Sequence, residues 1–226
     1  ELSSTGFELD VPVDASVAII MDKHNQWVTE IERQGGSFNQ QSVEFEYYTA
    51  LRQLGLNVDF VSQETNLEKY KLVIAPCVPI IKDSLIDNLQ HSNAHLIAGP
   101  RTGSKTDELT LVPNLAPGKL QALIGIKVLS VETLRLDCKI PLNYSGKTYL
   151  ADRWNEELSV NDDVEVIGKF ENKQAVIAQN TKATYIGALC NGELLKTLLS
   201  DIAIKQGLTP INVPNDVRLS YRGKFG

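Results

Sequence analysis

The residue that first suggests chemistry is Cys77, because it follows a run of apolar residues typical of a buried strand. A nucleophilic cysteine in that position needs small residues on both sides, so that a strained turn can form. Here Pro76 precedes the cysteine, and Val78 and Pro79 follow it. Proline also lacks the backbone N–H that an oxyanion hole would use. The sequence therefore favours a structural thiol, with an amidotransferase-like enzyme as an alternative.

Asp22 and His24 form a second candidate, since they follow the first apolar strand as an Asp-x-His pair. Such a pair could orient an imidazole or contribute to a metal site, but a metal site needs about three ligands of this kind. The other two histidines, His91 and His95, lie around a later helix and strand. We therefore expect Asp22 and His24 to line an ordinary polar loop, with contact to a small ligand or a partner as the alternative, and no metal or cofactor.

Paired carboxylates occur at Glu156–Glu157 and at Asp162–Asp163, in a polar stretch that predicts a loop. Glycosidase chemistry needs two carboxyl groups that face each other, one of them in an apolar site that raises its pKa. Adjacent acids in a polar loop point apart and stay solvated, so no catalytic pair is expected. Neither a G-x-G-x-x-G nor a Walker pattern occurs, which argues against a nucleotide site.

Composition excludes several classes of partner. The 226 residues include 22 basic and 28 acidic side chains, a net charge of −6, which argues against nucleic acid or an anionic membrane as partner. Three cysteines form no CxxC pair and leave one over in any disulfide scheme, so we expect reduced thiols and a cytoplasmic location. No apolar run is long enough to span a membrane.

The apolar pattern predicts an α/β fold with a mostly parallel sheet and helices on both of its faces. A long polar loop is expected over 22–40, and ligands in such sheets bind beyond the carboxyl ends of the strands. From about residue 127 the pattern changes to alternation with a period of two, which predicts an antiparallel β excursion over 127–187. Strands are predicted at 17–21, 58–61, 71–75, 95–98 and 217–221, and helices at 42–54, 83–91, 119–124 and 193–206.

Several motifs, in their order, resemble the middle domain of glycoside hydrolase family 42 β-galactosidases. The first is Val17-Ala18-Ile19-Ile20-Met21-Asp22 with Asn25 and Trp27 just after it; Leu72-Val73-Ile74-Ala75-Pro76, Gly99-Pro100-Arg101 and Trp154-x-Glu156 follow along the chain. The similarity covers nearly the whole sequence. The chain departs from the family at Gln26, where a second aromatic residue is common, and at Cys77, which replaces a small residue.

The resemblance implies a three-layer, flavodoxin-like fold, similar to class I glutamine amidotransferases without their catalytic residues. It also implies a trimerisation domain, whose catalytic glutamates belong to a preceding (β/α)8 barrel that lies outside this sequence. Residues 1–14 would then be a linker from the barrel, 15–209 the trimerisation domain, and 210–226 the start of a C-terminal β domain.

We therefore predict a non-catalytic oligomerisation domain, a fragment of an enzyme that hydrolyses terminal β-D-galactosides. Its expected partners are two further copies of itself and the barrel. Trp27 and Trp154 are candidate interface anchors, since aromatic residues are favoured there. An alternative is a module that binds a sugar or another small molecule at the strand ends, with Asp22, His24, Pro76 and Arg101 as contact residues.

Overall fold

The computed structural model describes residues 13–35, 38–135, 137–190, 192–215 and 217–220. Its helices are α1 (Lys23–Ile31), α2 (Gln40–Gln53), α3 (Asp83–His91), α4 (Gln121–Ile124) and α5 (Gly192–Lys205). Its strands are β1 (Val17–Ile20), β2 (Val58–Val61), β3 (Leu72–Ala75), β4 (His95–Ala98), β5 (Ile126–Thr133), β6 (Ile140–Tyr144), β7 (Lys147–Val160), β8 (Glu165–Phe170), β9 (Ala175–Gln179), β10 (Ala183–Ile186) and β11 (Ala188–Cys190).

All described strands belong to one sheet, in the order β11-β7-β6-β8-β9-β10-β4-β3-β1-β2, with β5 paired to β7. Strands β2, β1, β3, β4 and β10 are parallel, and the remaining pairings are antiparallel. Strand β10 joins the two parts, because it pairs parallel with β4 and antiparallel with β9. The antiparallel excursion therefore continues the parallel sheet, and its pairings outnumber the parallel ones among the described residues.

The parallel strands are covered on both faces, as their continuous apolar sequences require. Every residue of β1, β3 and β4 is buried. Val17 and Ile19 of β1 belong to an apolar cluster with residues of α2 and α5. Ala18 and Ile20 belong to a second cluster, with residues of α3 and α4. The predicted α/β class is confirmed.

Three local predictions were wrong. The expected loop at 22–40 contains α1, because the Asp22 carboxylate caps a helix there. Helix α2 begins at Gln40 with Asn39 as its cap, two residues before the predicted Ser42. The acidic pair at Glu156 lies within the 14-residue strand β7. A strand predicted at 217–221 falls partly outside the described residues, and 217–220 form none. No described helix is long and apolar enough to cross a membrane.

Candidate functional site

Helix α1 lies at the carboxyl end of β1, and Asp22 fixes where it begins. Asp22 Oδ1 accepts hydrogen bonds from the backbone N–H groups of His24 (2.9 Å) and Asn25 (3.4 Å). Its other oxygen accepts from Gln63 Nε2 at 2.9 Å and lies 3.8 Å from Lys82 Nζ. Both carboxylate oxygens are thus used within the fold, so Asp22 holds the start of α1 in place.

The inward side of α1 is polar. Asn25 exchanges two hydrogen bonds with the backbone of Ile80, one from its side-chain Nδ2 to the carbonyl (3.2 Å) and one from the Ile80 N–H to its Oδ1 (2.6 Å). Thr29 donates to Gln40 Oε1 at 2.7 Å, and Gln40 donates to Glu44 Oε1 at 2.8 Å. These directed bonds fix the helix against the segment that follows β3 and against α2.

The outward side of α1 is mixed, because Lys23 and Glu30 are exposed there beside two large apolar side chains. Trp27 is 58% exposed and Ile31 is 79% exposed. The two lie four residues apart, so they share one face of the helix. His24 is also exposed, in the first turn. We call Trp27 and Ile31 the α1 apolar face. Two large apolar side chains thus lie side by side in contact with solvent.

Arg101, the fourth predicted site residue, is buried after β4 and does not face the solvent. Its guanidinium carbon lies 4.7 Å from the ring centroid of Phe38 and 5.4 Å from that of Trp154. Its Nη2 donates to the carbonyl of Glu32, the residue after α1, at 3.2 Å. Arg101 therefore supports the end of α1 from below, through cation–π contacts and one hydrogen bond.

Glu156 lies beside Arg101 and is fully buried. Its Oε1 accepts from the Arg101 backbone N–H and from Trp154 Nε1, both at 2.9 Å. Its Oε2 accepts from the Tyr185 hydroxyl at 2.7 Å. Burial raises the pKa of this carboxyl, and the three donors oppose that shift. The expectation that Glu156 is solvated was wrong, because β7 points it into the sheet's core.

Trp154 is buried as well, so its predicted role as an exposed interface anchor was wrong. Its ring packs against Phe38 with centroids 5.4 Å apart. The sequence offered one clue to this arrangement, because the spacing Trp154-x-Glu156 puts both side chains on the same face of a strand. No spacing in the sequence links Phe38 or Tyr185 to Trp154 and Glu156, since both come from distant parts of the chain.

Cys77 is buried at the end of β3, and burial raises the pKa of its thiol to about 12. The nucleophilic form of cysteine is the thiolate, which is almost absent at neutral pH with such a pKa. This argues against the amidotransferase-like alternative. Within the described ranges, no three His, Cys, Asp or Glu side chains are grouped to hold a metal ion.

The structure thus separates the four predicted site residues into two groups. Asp22, His24 and Trp27 lie along the first turns of α1. Arg101 is buried with Phe38, Trp154 and Glu156, and reaches α1 only at its far end. The buried cluster around Arg101 thus supports the end of a short helix on which Trp27 and Ile31 are exposed.

Comparison with known proteins identifies the kind of domain. The family model described as "Beta-galactosidase trimerisation domain" matches residues 15–209. A β-galactosidase of Thermus thermophilus is 29% identical over 93% of this chain and 32% of its own length. The β-galactosidase BgaH of Haloferax lucentense is 32% identical over 97% of this chain and 34% of its own.

A solved structure is similar over the same extent. The β-galactosidase of the psychrophilic Marinomonas ef1 superposes with a TM-score of 0.92 at 28% identity, over 98% of this chain and 34% of that one. The chain spans about a third of the length of the relatives that it matches. The chain belongs to the family of β-galactosidase trimerisation domains, a non-catalytic part of glycoside hydrolase family 42 enzymes.

Proposed function

We propose that this chain holds three subunits of a β-galactosidase together, and that the α1 apolar face is one of the surfaces through which it does so. The observation that carries the proposal is the exposure of Trp27 and Ile31 on a domain whose family model is that of a trimerisation domain. A tryptophan is among the residues that contribute most to binding energy at protein interfaces.

The geometry beneath α1 supports this role. Helix α1 is fixed to the domain mainly by directed polar contacts, with Val28 as its buried apolar residue. Here the bonds of Asn25 to Ile80 and of Thr29 to Gln40 fix its inner side. Arg101 supports its last turn, and the Lys105–Glu32 ion pair, 2.6 Å between Nζ and Oε2, adds to that support. The α1 apolar face is therefore presented in a defined orientation, which lowers the entropy lost on binding.

The parent that we propose hydrolyses terminal β-D-galactosides in the cytoplasm and carries its catalytic residues in a barrel outside this chain. Residues 1–14 would connect to that barrel, and 210–226 would begin a further β domain. Residues 15–209 would form the trimerisation domain, in which β2, β1, β3 and β4 with α2, α5 and α3 correspond to a flavodoxin-like core. A ring of three identical subunits is heterologous, so the α1 apolar face would meet a different surface of its neighbour.

Light scattering across a concentration series tests the assembly. We expect a mass that rises towards three times the 25.0 kDa of the monomer. The double variant Trp27→Ser/Ile31→Ser should shift the transition to higher concentration, because each large apolar side chain buried at an interface contributes about 1.5–3 kcal/mol. Ile204→Ser is the matched control, since Ile204 is 59% exposed on a different helix, α5. A chain that stays monomeric at every concentration, or a trimer that the double variant leaves unchanged, would contradict the proposal.

A further inference from the structure

A buried carboxyl group, that of Glu44, lies under α1 without an ion-pair partner. Glu44 belongs to α2 and is 5% exposed. Among the described residues, none of the ion pairs includes it. Its Oε1 accepts a hydrogen bond from Gln40 Nε2 at 2.8 Å. A buried carboxylate is costly unless cations or several donors compensate its charge, so ionisation of Glu44 is poorly compensated.

Glu44 ends a chain of hydrogen bonds that begins on α1. Thr29 Oγ1 lies 2.7 Å from Gln40 Oε1 and 2.9 Å from the carbonyl oxygen of Gln26. A hydroxyl group has one hydrogen, so Thr29 cannot donate a full hydrogen bond to both oxygens at once. When Glu44 is ionised, the Gln40 nitrogen donates to it, and the Gln40 oxygen takes the hydrogen of Thr29. The Gln26 carbonyl is then left without that donor.

The Gln40 amide fits the same place when it is turned over. Its oxygen and nitrogen are nearly equal in size and exchange places when the group rotates by half a turn. The nitrogen then donates to Thr29 Oγ1, which frees the Thr29 hydrogen for the Gln26 carbonyl. The Gln40 oxygen now faces Glu44 Oε1 across the same 2.8 Å, and the two oxygens repel each other. A proton on Glu44 turns that repulsion into an O–H···O hydrogen bond of ordinary length.

The two arrangements therefore differ by one hydrogen bond. With Glu44 ionised, Gln40 donates to Glu44 and Thr29 donates to Gln40. With Glu44 protonated, Glu44 donates to Gln40, Gln40 donates to Thr29, and Thr29 also donates to the Gln26 carbonyl. This additional bond lies within α1. Proton uptake by a residue of α2 thus stabilises a turn of α1.

The charged and titratable groups around Glu44 leave this balance to the hydrogen-bond chain. From α1, the charge of Lys23 acts on the carboxylate from beyond ion-pair distance, and Lys23 itself is exposed. From the segment after β3, Cys77 faces it as a neutral thiol with a pKa raised to about 12. Burial raises the pKa of the Glu44 carboxyl, whereas the Gln40 hydrogen bond and Lys23 oppose that shift.

We propose that Glu44 is a proton-sensitive switch: proton uptake turns the Gln40 amide over and lets Thr29 bond within α1, so that α1 is held more firmly in acid. The switch acts on the helix that carries the α1 apolar face. It goes beyond the proposed function and does not depend on it, because a monomer would show the same response to pH. Light scattering reports the proposed assembly separately.

Titration of the Glu44 carboxyl carbon by ¹³C NMR tests the proposal, with Glu44→Gln to identify the signal. Thr29→Val removes the hydroxyl, so both arrangements keep only the bond between the side chains at 40 and 44. The protonated form loses its advantage of one hydrogen bond. We expect the proton affinity of Glu44 to fall roughly two- to tenfold, which corresponds to one net hydrogen bond. Thr29→Ser keeps the hydroxyl and is the matched control, which should leave the affinity unchanged.

A carboxyl group whose proton affinity is raised by burial alone would not respond to the hydroxyl at position 29. Equal proton affinity of Glu44 in the native sequence and in Thr29→Val would therefore overturn the proposal. An equal loss of affinity in Thr29→Val and Thr29→Ser would also overturn it, because the hydroxyl would then not be the cause.

Hydrogen exchange of the α1 backbone amides gives a second measurement, after correction for the pH dependence of the intrinsic rates. All chains carry Trp27→Ser/Ile31→Ser, so that protection reports how α1 is held by its own domain. With Glu44 present, we expect protection to rise roughly twofold or more from pH 7.5 to pH 5. Glu44→Gln, whose amide donates to Gln40 at every pH, should show the higher protection at both. An equal rise in the two chains would assign the effect to other groups and overturn the proposal.

Discussion

The Tyr185 hydroxyl donates a 2.7 Å hydrogen bond to Glu156 Oε2, and both residues are fully buried. This bond joins β10, the strand that links the parallel and antiparallel parts of the sheet, to β7. It also completes the support of the cluster under α1, because the other oxygen of Glu156 holds the Arg101 N–H and Trp154.

Removal of that hydroxyl should destabilise the domain. Tyr185→Phe leaves one oxygen of a buried carboxylate without its donor, and hydrogen bonds to charged groups contribute about 1.5–3 kcal/mol. We expect the free energy of unfolding in urea to fall by that amount. Tyr149→Phe is the control, since this buried tyrosine makes no hydroxyl hydrogen bond among the described residues, and it should change stability by less than about 0.5 kcal/mol. Equal losses for the two variants would contradict the role of the Glu156 bond.

Glu156 should also make stability depend on pH. Burial raises the pKa of its carboxyl in the folded protein above the ordinary value of 4.5. The folded state therefore holds the proton more tightly than the unfolded state, and the stability from this linkage is present below pH 4.5 and lost as pH rises through the folded pKa. Glu156→Gln has no proton to lose. The difference in unfolding free energy, native sequence minus variant, should fall as pH rises from 4.5 and then level off; a constant or rising difference would contradict this.

His95 should make the stability of the domain depend on pH in the opposite direction. Burial lowers the pKa of its imidazole from 6.5 to about 4, and its Nε2 lies 2.9 Å from Thr184 Oγ1. The unfolded chain takes up the proton first, so stability is complete above pH 6.5 and is lost as pH falls towards 4. The shift corresponds to about 3 kcal/mol. In the His95→Asn variant, the free energy of unfolding in urea should change much less between pH 6.5 and 4. The control is His91→Asn, at an exposed position on α3, which should behave like the native sequence. If the unfolding free energy of His95→Asn still falls as steeply with decreasing pH, other groups cause the acid sensitivity.

The thiols should differ sharply in reactivity. Cys138 is exposed, whereas Cys77 and Cys190 are buried and their thiol pKa values are both raised to about 12. A thiol reagent at pH 8 should therefore modify one cysteine per folded chain and three after unfolding. Cys138→Ser should abolish the rapid reaction. Rapid modification of Cys77 in the folded chain, located by peptide mapping, would restore the amidotransferase-like alternative.

The parallel strands were predictable because their sequences alone require burial on both faces. Val17–Ile20, Leu72–Ala75 and His95–Ala98 are continuous runs with few polar residues, and each is a strand within one residue of the prediction. Helix α1 was missed for the opposite reason. Of its buried residues only Val28 is apolar, and Asn25, Gln26 and Thr29 are polar, so the repeated apolar pattern that marks a helix is absent on its inner side.

The buried cluster of Arg101, Phe38, Trp154 and Glu156 could not be predicted from the sequence for a related reason. Glu156 looks solvated beside Glu157 and two further acids, and only the neighbouring strands of β7 remove it from water. Arg101 was identified as a site residue from its position after a strand. Its burial, however, depends on Phe38 and Trp154, which come from distant parts of the chain. Contacts of this kind follow from the sheet order, which the period of the sequence does not encode.

Arg52 and Asn57 hold both outer segments of the described chain at one corner, since Asn57 Nδ2 donates to the Asp14 carbonyl and Arg52 Nη2 to the Leu219 carbonyl. This corner has a mechanical consequence. Tension applied through the segments at Asp14 and Leu219 would load these few side-chain hydrogen bonds first, and they would break one after another. The parallel strands would take up the load only afterwards, through Ser16, whose carbonyl accepts from the N–H groups of Lys71 and Leu72. The side chains of Arg52 and Asn57 would thus yield before the sheet does, so the part of the domain that carries Trp27 would keep its shape under load.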